Sequence, residues 1–197
     1  MSPKVSVIIP IYNAAPYIER CARSLFEQTL DNIEYIFVND CTPDESMDIL
    51  YSVLTEYPHR QQQVKIINQL QNWGVAKARK DGIEAATGQY VIHCDSDDWV
   101  DCQMYKMLYE KAVCESLDIV MCDWFRADGL SMSVNTLDIN GLDKTCLLGK
   151  LIDGSLSGSL WNKLVSRHIC TSGVIYPHSN MYEDLVLIIQ AVFFAKK

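Results

Sequence analysis

One rhythm constrains this chain's first half more than any other feature. Four short runs rich in β-branched and aromatic residues, Val5–Ile9, Ile33–Val38, Val64–Ile67 and Tyr90–Cys94, recur with helical patterns between them. Such runs predict buried strands. After the first, Pro16 suits a helix start, and Ile18, Cys21, Ala22 and Leu25 fall at helical spacing. After the second, Thr42-Pro43-Asp44-Glu45 predicts a capping box with proline in the first helical position. An apolar face of Met47, Leu50, Leu54 and Tyr57 would follow, ended by Pro58. After the third, the small residues among Val75, Ala78, Gly82, Ile83 and Ala86 predict a close approach to the sheet, with Gly88 as C-terminal cap. The order βαβαβαβ implies an α/β fold, a doubly wound, mostly parallel sheet with helices on both faces.

Beyond residue 100 the rhythm loosens. Met104–Glu115 and Leu185–Ala195 predict helices, and Asp118–Trp124 and Trp161–Val165 predict strands. Residues 126–142, rich in Asp, Ser, Asn and Gly, predict an irregular loop or hairpin. At 197 residues, one continuous domain is expected, with a smaller, irregular C-terminal half. With 49% hydrophobic and 21% charged residues, the chain can bury a core, which excludes intrinsic disorder.

Twenty-five acidic against 17 basic side chains give a net charge of −8 and disfavour a nucleic-acid partner. The one dense basic cluster, Lys77, Arg79 and Lys80, is too short for an electrostatic footprint. The eight cysteines include no Cys-x-x-Cys pair, so buried, reduced thiols are expected. Val5–Ile9 is too short for a signal peptide, and Leu185–Ala195, interrupted by Gln190, is about half a bilayer span. A soluble, cytoplasmic protein is the expectation. His93, inside a strand, is expected to be a satisfied core histidine, and His178 lies in a loop without an assigned role.

In an open parallel sheet, ligands bind beyond the carboxyl ends of the strands, where strand order reverses. The first strand delivers Pro10-Ile11-Tyr12-Asn13, the second Asn39-Asp40, and the fourth Asp95-Ser96-Asp97-Asp98. The first turn lacks the glycines of a dinucleotide fingerprint, and no Walker motif is present. Three aspartates within four residues repel one another, and a divalent cation relieves that repulsion. Hard oxygen ligands select Mg²⁺ or Mn²⁺, which take one or two carboxylates and complete their shell with substrate phosphates. An acidic, solvated turn ahead of a helix is the plainer alternative for Asp95–Asp98. An EF-hand is disfavoured, because the loop lacks its glycine and closing glutamate. A haloacid-dehalogenase-type phosphohydrolase also uses Asp-x-Asp, but after its first strand.

These segments resemble family-2 glycosyltransferases of the GT-A fold. The resemblance is carried by Val5–Asn13, Glu34–Ser46, Asn72-Trp73-Gly74, Ala78-Arg79 with Gly82, Ala86–Tyr90, Asp95–Asp98, Trp161-Asn162-Lys163-Leu164 and Glu183-Asp184, in the family's order. It implies inverting transfer of a sugar from a nucleotide diphosphate, a UDP-sugar by preference, to an acceptor hydroxyl in surface polysaccharide or glycan synthesis. Residues 1–100 would bind the nucleotide sugar and 101–197 the acceptor.

On that resemblance Pro10, Tyr12 and Asn13 line the nucleotide pocket, with Tyr12 packed on the base and Asp40 accepting from its imide. Asp40 could instead cap the helix that starts near Thr42. Arg79 reaches the diphosphate or ribose, the alternative being a solvated helix face. Asp95 and Ser96 belong to the donor side, Asp97 ligates the metal, and Asp98 supports either task. Asp184 is the catalytic base with Glu183 beside it, or else the pair only favours the last helix's N-terminus. Trp161 sits beside sugar or acceptor. The acceptor would be a glycan or lipid-linked, with peripheral contact at the inner membrane face. The chain departs from the family at Asn39 (often aspartate), Cys41 (usually glycine), Pro43 (usually threonine) and Lys80 (commonly asparagine). Members usually continue well past this length, which implies a missing acceptor-closing segment. A non-catalytic nucleotide-sugar or cation-binding domain and a Mg²⁺ phosphohydrolase are the alternatives.

Overall fold

The computed structural model describes residues 2–127, 132–139, 141–177 and 179–197. His178 and part of the 126–142 segment therefore lie outside the described residues. The first half follows the expected alternation: β1 (Val5–Ile11), α1 (Ile18–Phe26), β2 (Ile33–Asn39), α2 (Ser46–Glu56), β3 (Val64–Asn68), α3 (Val75–Ala85) and β4 (Tyr90–His93). The second half adds α4 (Met104–Cys114), β5 (Ile119–Met121), β6 (Trp124–Ala127), β7 (Met132–Asn135), α5 (Lys144–Ile152), β8 (Lys163–Ser166), α6 (Arg167–Thr171) and α7 (Glu183–Phe194).

Six strands form one sheet in the order β3-β2-β1-β4-β8-β5. The pairs β1/β2, β1/β4 and β2/β3 are parallel, and strand order reverses between β1 and β4. Period-two alternation sends β1 side chains to opposite faces. Val5, Val7, Ile9 and Ile11 join the core under α1, α2 and α4, whereas Ile8 packs with Ala78 and Ile83 of α3. A third cluster joins Leu151, Ile169, Leu187, Ile188 and Val192 of α5, α6 and α7 to Val165 of β8. The predicted close approach of α3 is real. A Cβ on Gly82 would stand 2.4 Å from Ile8 Cγ2, closer than packing allows.

Several local expectations are corrected. The second helix starts at Ser46, so no capping box operates at Thr42 and Pro43 precedes the helix. Asp44 instead organises the turn, accepting from Thr42 Oγ1 (2.7 Å), Ser46 N (3.2 Å) and Ala15 N (2.8 Å), which ties it to the loop after β1. Ser46, Leu50 and Val53 are the residues α2 buries. Gly88 is no left-handed cap: a Cβ there would meet Ser6 N at 2.7 Å, so close backbone approach is what requires glycine.

The strand expected over Asp118–Trp124 is split into β5 and β6, and β6 pairs antiparallel with β7 as a separate hairpin. β8 enters the main sheet antiparallel to both β4 and β5. Of the cysteines, Cys21 and Cys94 are buried, but Cys41, Cys102, Cys114 and Cys146 are exposed, contrary to the buried-thiol expectation. His93 is buried, yet its Nδ1 has no hydrogen-bond partner among the described residues, and burial pushes its pKa well down. It is a core histidine, but not a satisfied one.

Candidate active site

Sheet topology decides where the polar residues meet. The carboxyl ends of β1 and β4 flank the reversal of strand order, where a crevice is expected. A cleft of about 600 Å³ opens there. Pro10, Tyr12 and Asn13 reach it from β1, Asp40 from the end of β2, Arg79 from α3, and Asp95, Ser96 and Asp97 from the loop after β4. Glu183 and Asp184 enter from the N-terminus of α7. Asp98 and Trp161 are not among the residues lining the cleft. Trp161 instead packs edge-to-face on Trp124, ring centroids 5.2 Å apart.

Three non-glycine residues with left-handed backbone mark this region: Asn13 (φ 52°), Cys41 (φ 55°) and Tyr182 (φ 61°). Each follows or precedes a candidate site residue, and such strain persists only where surrounding contacts over-determine it. Position 41, where family members usually carry glycine, is thus one where glycine is the unstrained choice.

Asp40, 3% exposed, accepts the Trp73 amide at 2.7 Å on Oδ1 and the Gly74 amide at 2.8 Å on Oδ2. It therefore caps the entry to α3, and the expected cap of a helix near Thr42 is corrected to this one. Asn180, which the sequence reading missed, accepts from Ala76 N at 3.1 Å and closes the same helix end. Nothing in its sequence neighbourhood signals that contact. Tyr12 is 44% exposed at the cleft, with its ring free to stack on a ligand.

Arg79 is the centre of the site. Its side chain is 3% exposed, which rules out the solvated helix face. Nη2 donates to Asp95 Oδ1 at 2.7 Å, and Nη1 donates to Glu183 Oε1 at 2.5 Å. Nη1 also lies 2.5 Å from Asp184 Oδ1, a second ion pair on the same nitrogen. One guanidinium thus links the loop after β4 to the start of α7. Burial raises the Asp95 carboxyl above the usual range; Arg79 pulls it down, and Asp184 and Asp97 push it up. Burial likewise raises Asp184, opposed by Arg79 and reinforced by Glu183. Asp98 is pushed up to about 6 by burial and by the charges of Asp95 and Asp97.

Asp97 lines the cleft without a cationic or hydrogen-bonding partner among the described residues. Among the described residues no trio of His, Cys, Asp or Glu forms a protein-only metal cage. A Mg²⁺ or Mn²⁺ ion bound by one or two carboxylates and substrate phosphates needs no such cage. With Asp95 partly compensated by Arg79, the remaining negative charge at Asp97 and Asp98 fits a hard cation.

Residues 6–140 match the family described as Glycosyl transferase family 2. The chain belongs to that family. Among curated relatives, glycosyltransferase EpsJ of Bacillus subtilis, itself uncharacterised, is 44% identical over 126 residues, covering 64% of this chain and 35% of that protein. The cholesterol galactosyltransferase of Borreliella burgdorferi is 30% identical over 208 residues, covering 98% of this chain and 56% of that protein. The chain therefore spans about half or less of the length of these relatives. In three dimensions it superposes on S. aureus TarS 1-349 in complex with UDP-GlcNAc with a TM-score of 0.82. That match has 20% identity and covers 98% of this chain and 54% of TarS 1-349. Mannosyltransferase PcManGT from Pyrobaculum calidifontis, solved with GDP-Man and Mn²⁺, gives a TM-score of 0.64 at 18% identity, covering 94% and 50%. The fold is the GT-A glycosyltransferase fold.

Proposed function

We propose that this chain carries the donor site and the base of an inverting, metal-assisted glycosyltransferase that moves a sugar from a UDP-sugar to an acceptor hydroxyl. The observation that carries the reading is the convergence of Tyr12, Asp40, Asp97 and Asp184 on one cleft from four separate chain segments. Pro10, Tyr12 and Asn13 hold the nucleotide, with the base on the Tyr12 ring. Each Asp40 oxygen already takes one backbone amide and has a lone pair left for the base imide. Asp95 and Ser96 face the donor. Asp97 would hold Mg²⁺ or Mn²⁺, with Asp98 supporting it; such an ion would supply charge neutralisation for a departing diphosphate.

Asp184 takes the proton of the acceptor hydroxyl. Its raised pKa brings it nearer the working range of a general base, against the pull of Arg79, whose Nη1 pairs with Oδ1. Arg79 stands between these two sides as an electrostatic tie and lines the cleft, from which it reaches the diphosphate or ribose. Residues 1–100 supply the nucleotide side and 101–197 the acceptor side, Asp184 included.

The process we infer is surface polysaccharide or glycan synthesis on a glycan or lipid-linked acceptor at the cytoplasmic face of the membrane. Exposed Met181 and Tyr182, immediately before the Glu183-Asp184 pair, suit an apolar acceptor. The relative named for transfer to cholesterol agrees with a lipid hydroxyl. Among the described residues no helix is long and apolar enough to cross a membrane. Titration calorimetry of UDP with Mn²⁺ and with EDTA tests the donor site. Binding should need Mn²⁺ and be lost in Asp97→Asn; equal binding without metal would refute the assignment.

A further inference from the structure

The buried ammonium of Lys163 has no part in the reading above, and its surroundings lead back to Asp184. Lys163 opens β8 and is 1% exposed. Nζ donates to the Ser157 carbonyl at 2.8 Å, the Ser159 carbonyl at 2.7 Å and Asn162 Oδ1 at 2.7 Å, which uses all three of its donors. Asn162 is itself fully buried and fixed to β5's exit, its Nδ2 donating to the Cys122 carbonyl at 3.1 Å.

Burying a charge is costly, and here the charge faces neutral acceptors, two of them carbonyls of a four-residue strap, Ser157–Leu160. The strap leads straight to the proposed base. The Leu160 amide points to Asp184 Oδ2 at 3.4 Å. Gly158 lies against α7 one residue further on: a Cβ there would stand 2.8 Å from Leu185 Cδ1 and 3.2 Å from Leu185 Cα. We infer that Lys163 is a positioning residue that pins this strap against the first turn of α7 and so fixes the orientation of the Asp184 carboxylate. The inference rests on the reading of Asp184 as base. Through-space coupling agrees with it. Burial pulls Lys163 down to about 8, and the charge of Asp184 is the larger of two that oppose that fall.

The test compares Lys163→Met, Gly158→Ala and Asp184→Asn in UDP-GlcNAc hydrolysis with Mn²⁺, alongside amide exchange of the 157–160 strap. Lys163→Met and Gly158→Ala should each lower kcat roughly ten- to a hundredfold, since misplacement by a fraction of an ångström has that effect, while KM stays within about twofold. Both should raise strap exchange about tenfold or more, and Asp184→Asn should abolish hydrolysis. Wild-type hydrolysis or unchanged strap exchange in Lys163→Met, with Asp184→Asn inactive, overturns the positioning role alone. Full hydrolysis by Asp184→Asn overturns the base assignment and the positioning role with it. Equal damage to kcat and UDP binding would make Lys163 merely structural and also overturn the inference. If Lys163→Met does not fold, Gly158→Ala, which keeps the ammonium, decides by the same criteria.

Discussion

Replacing Arg79 with methionine removes the one cation shared by Asp95, Glu183 and Asp184 while keeping much of the side chain's volume. Breaking a buried ion pair from one side costs about 3–5 kcal/mol, because the partner is left charged and unpaired. The Asp95 and Asp184 side chains keep 32% and 24% of their exposure, so water softens the loss and the lower end, about 3 kcal/mol, applies. At a urea slope of about 2 kcal/mol per molar, the unfolding midpoint should fall by about 1.5 M. The loss should depend on pH. Arg79 is the influence that lowers both Asp95 and Asp184 against burial, so without it both folded-state pKa values rise further above their unfolded values. A folded state with raised carboxyl pKa values is stabilised by protonation, and that stability disappears as pH climbs through them. The deficit of Arg79→Met should therefore be larger at pH 8 than at pH 5. Urea unfolding of both proteins in EDTA at the two pH values measures this. A deficit under about 1 kcal/mol, or one equal at both pH values, would refute the central electrostatic tie.

Two further outcomes follow from local geometry. Asp98, raised to about 6, is destabilising when ionised, so in metal-free buffer Asp98→Asn should gain about 1–2 kcal/mol at pH 8 after allowance for partial exposure. That gain should shrink as pH falls through 6 towards 4, and urea midpoints across the range would expose a flat profile as the contrary result. Cys41→Gly relieves a left-handed backbone at φ 55°, worth about 1–2 kcal/mol against about 0.5–1 kcal/mol of added chain entropy. Thermal unfolding should show a small net gain; a loss would mean that Cys41 is held by contacts and not strained.

The candidate site was legible where it lies at strand ends. Tyr12, Asp40 and Asp97 sit immediately beyond apolar runs whose alternation with helical stripes fixes their direction, so a parallel sheet delivers them to one edge. Arg79 was harder, because a charged residue on an amphipathic helix reads as solvated. Its burial arises only when α7, more than 100 residues later, brings Glu183 and Asp184 against α3. Asn180 had no local signal, since its partner is the Ala76 amide at the start of α3, 104 residues earlier. Lys163 stands in the Trp161-Asn162-Lys163-Leu164 motif, but nothing in the sequence shows its ammonium turning inward onto the Ser157 and Ser159 carbonyls. The strand β8 was visible as an apolar run, but its antiparallel insertion between β4 and β5 was not.

Period and spacing act over a few residues, and through them the amino-acid order alone determined the alternating elements, the parallel half-sheet and the acidic corner after β4. Long-range packing determined the rest: which carboxylates share the Arg79 guanidinium, which helix end Asp40 closes, and which buried ammonium holds the strap beside Asp184. Apart from the Lys163 bonds within 157–163, such contacts join residues far apart in the chain, and their energies depend on burial and on charges that only meet once the sheet has formed.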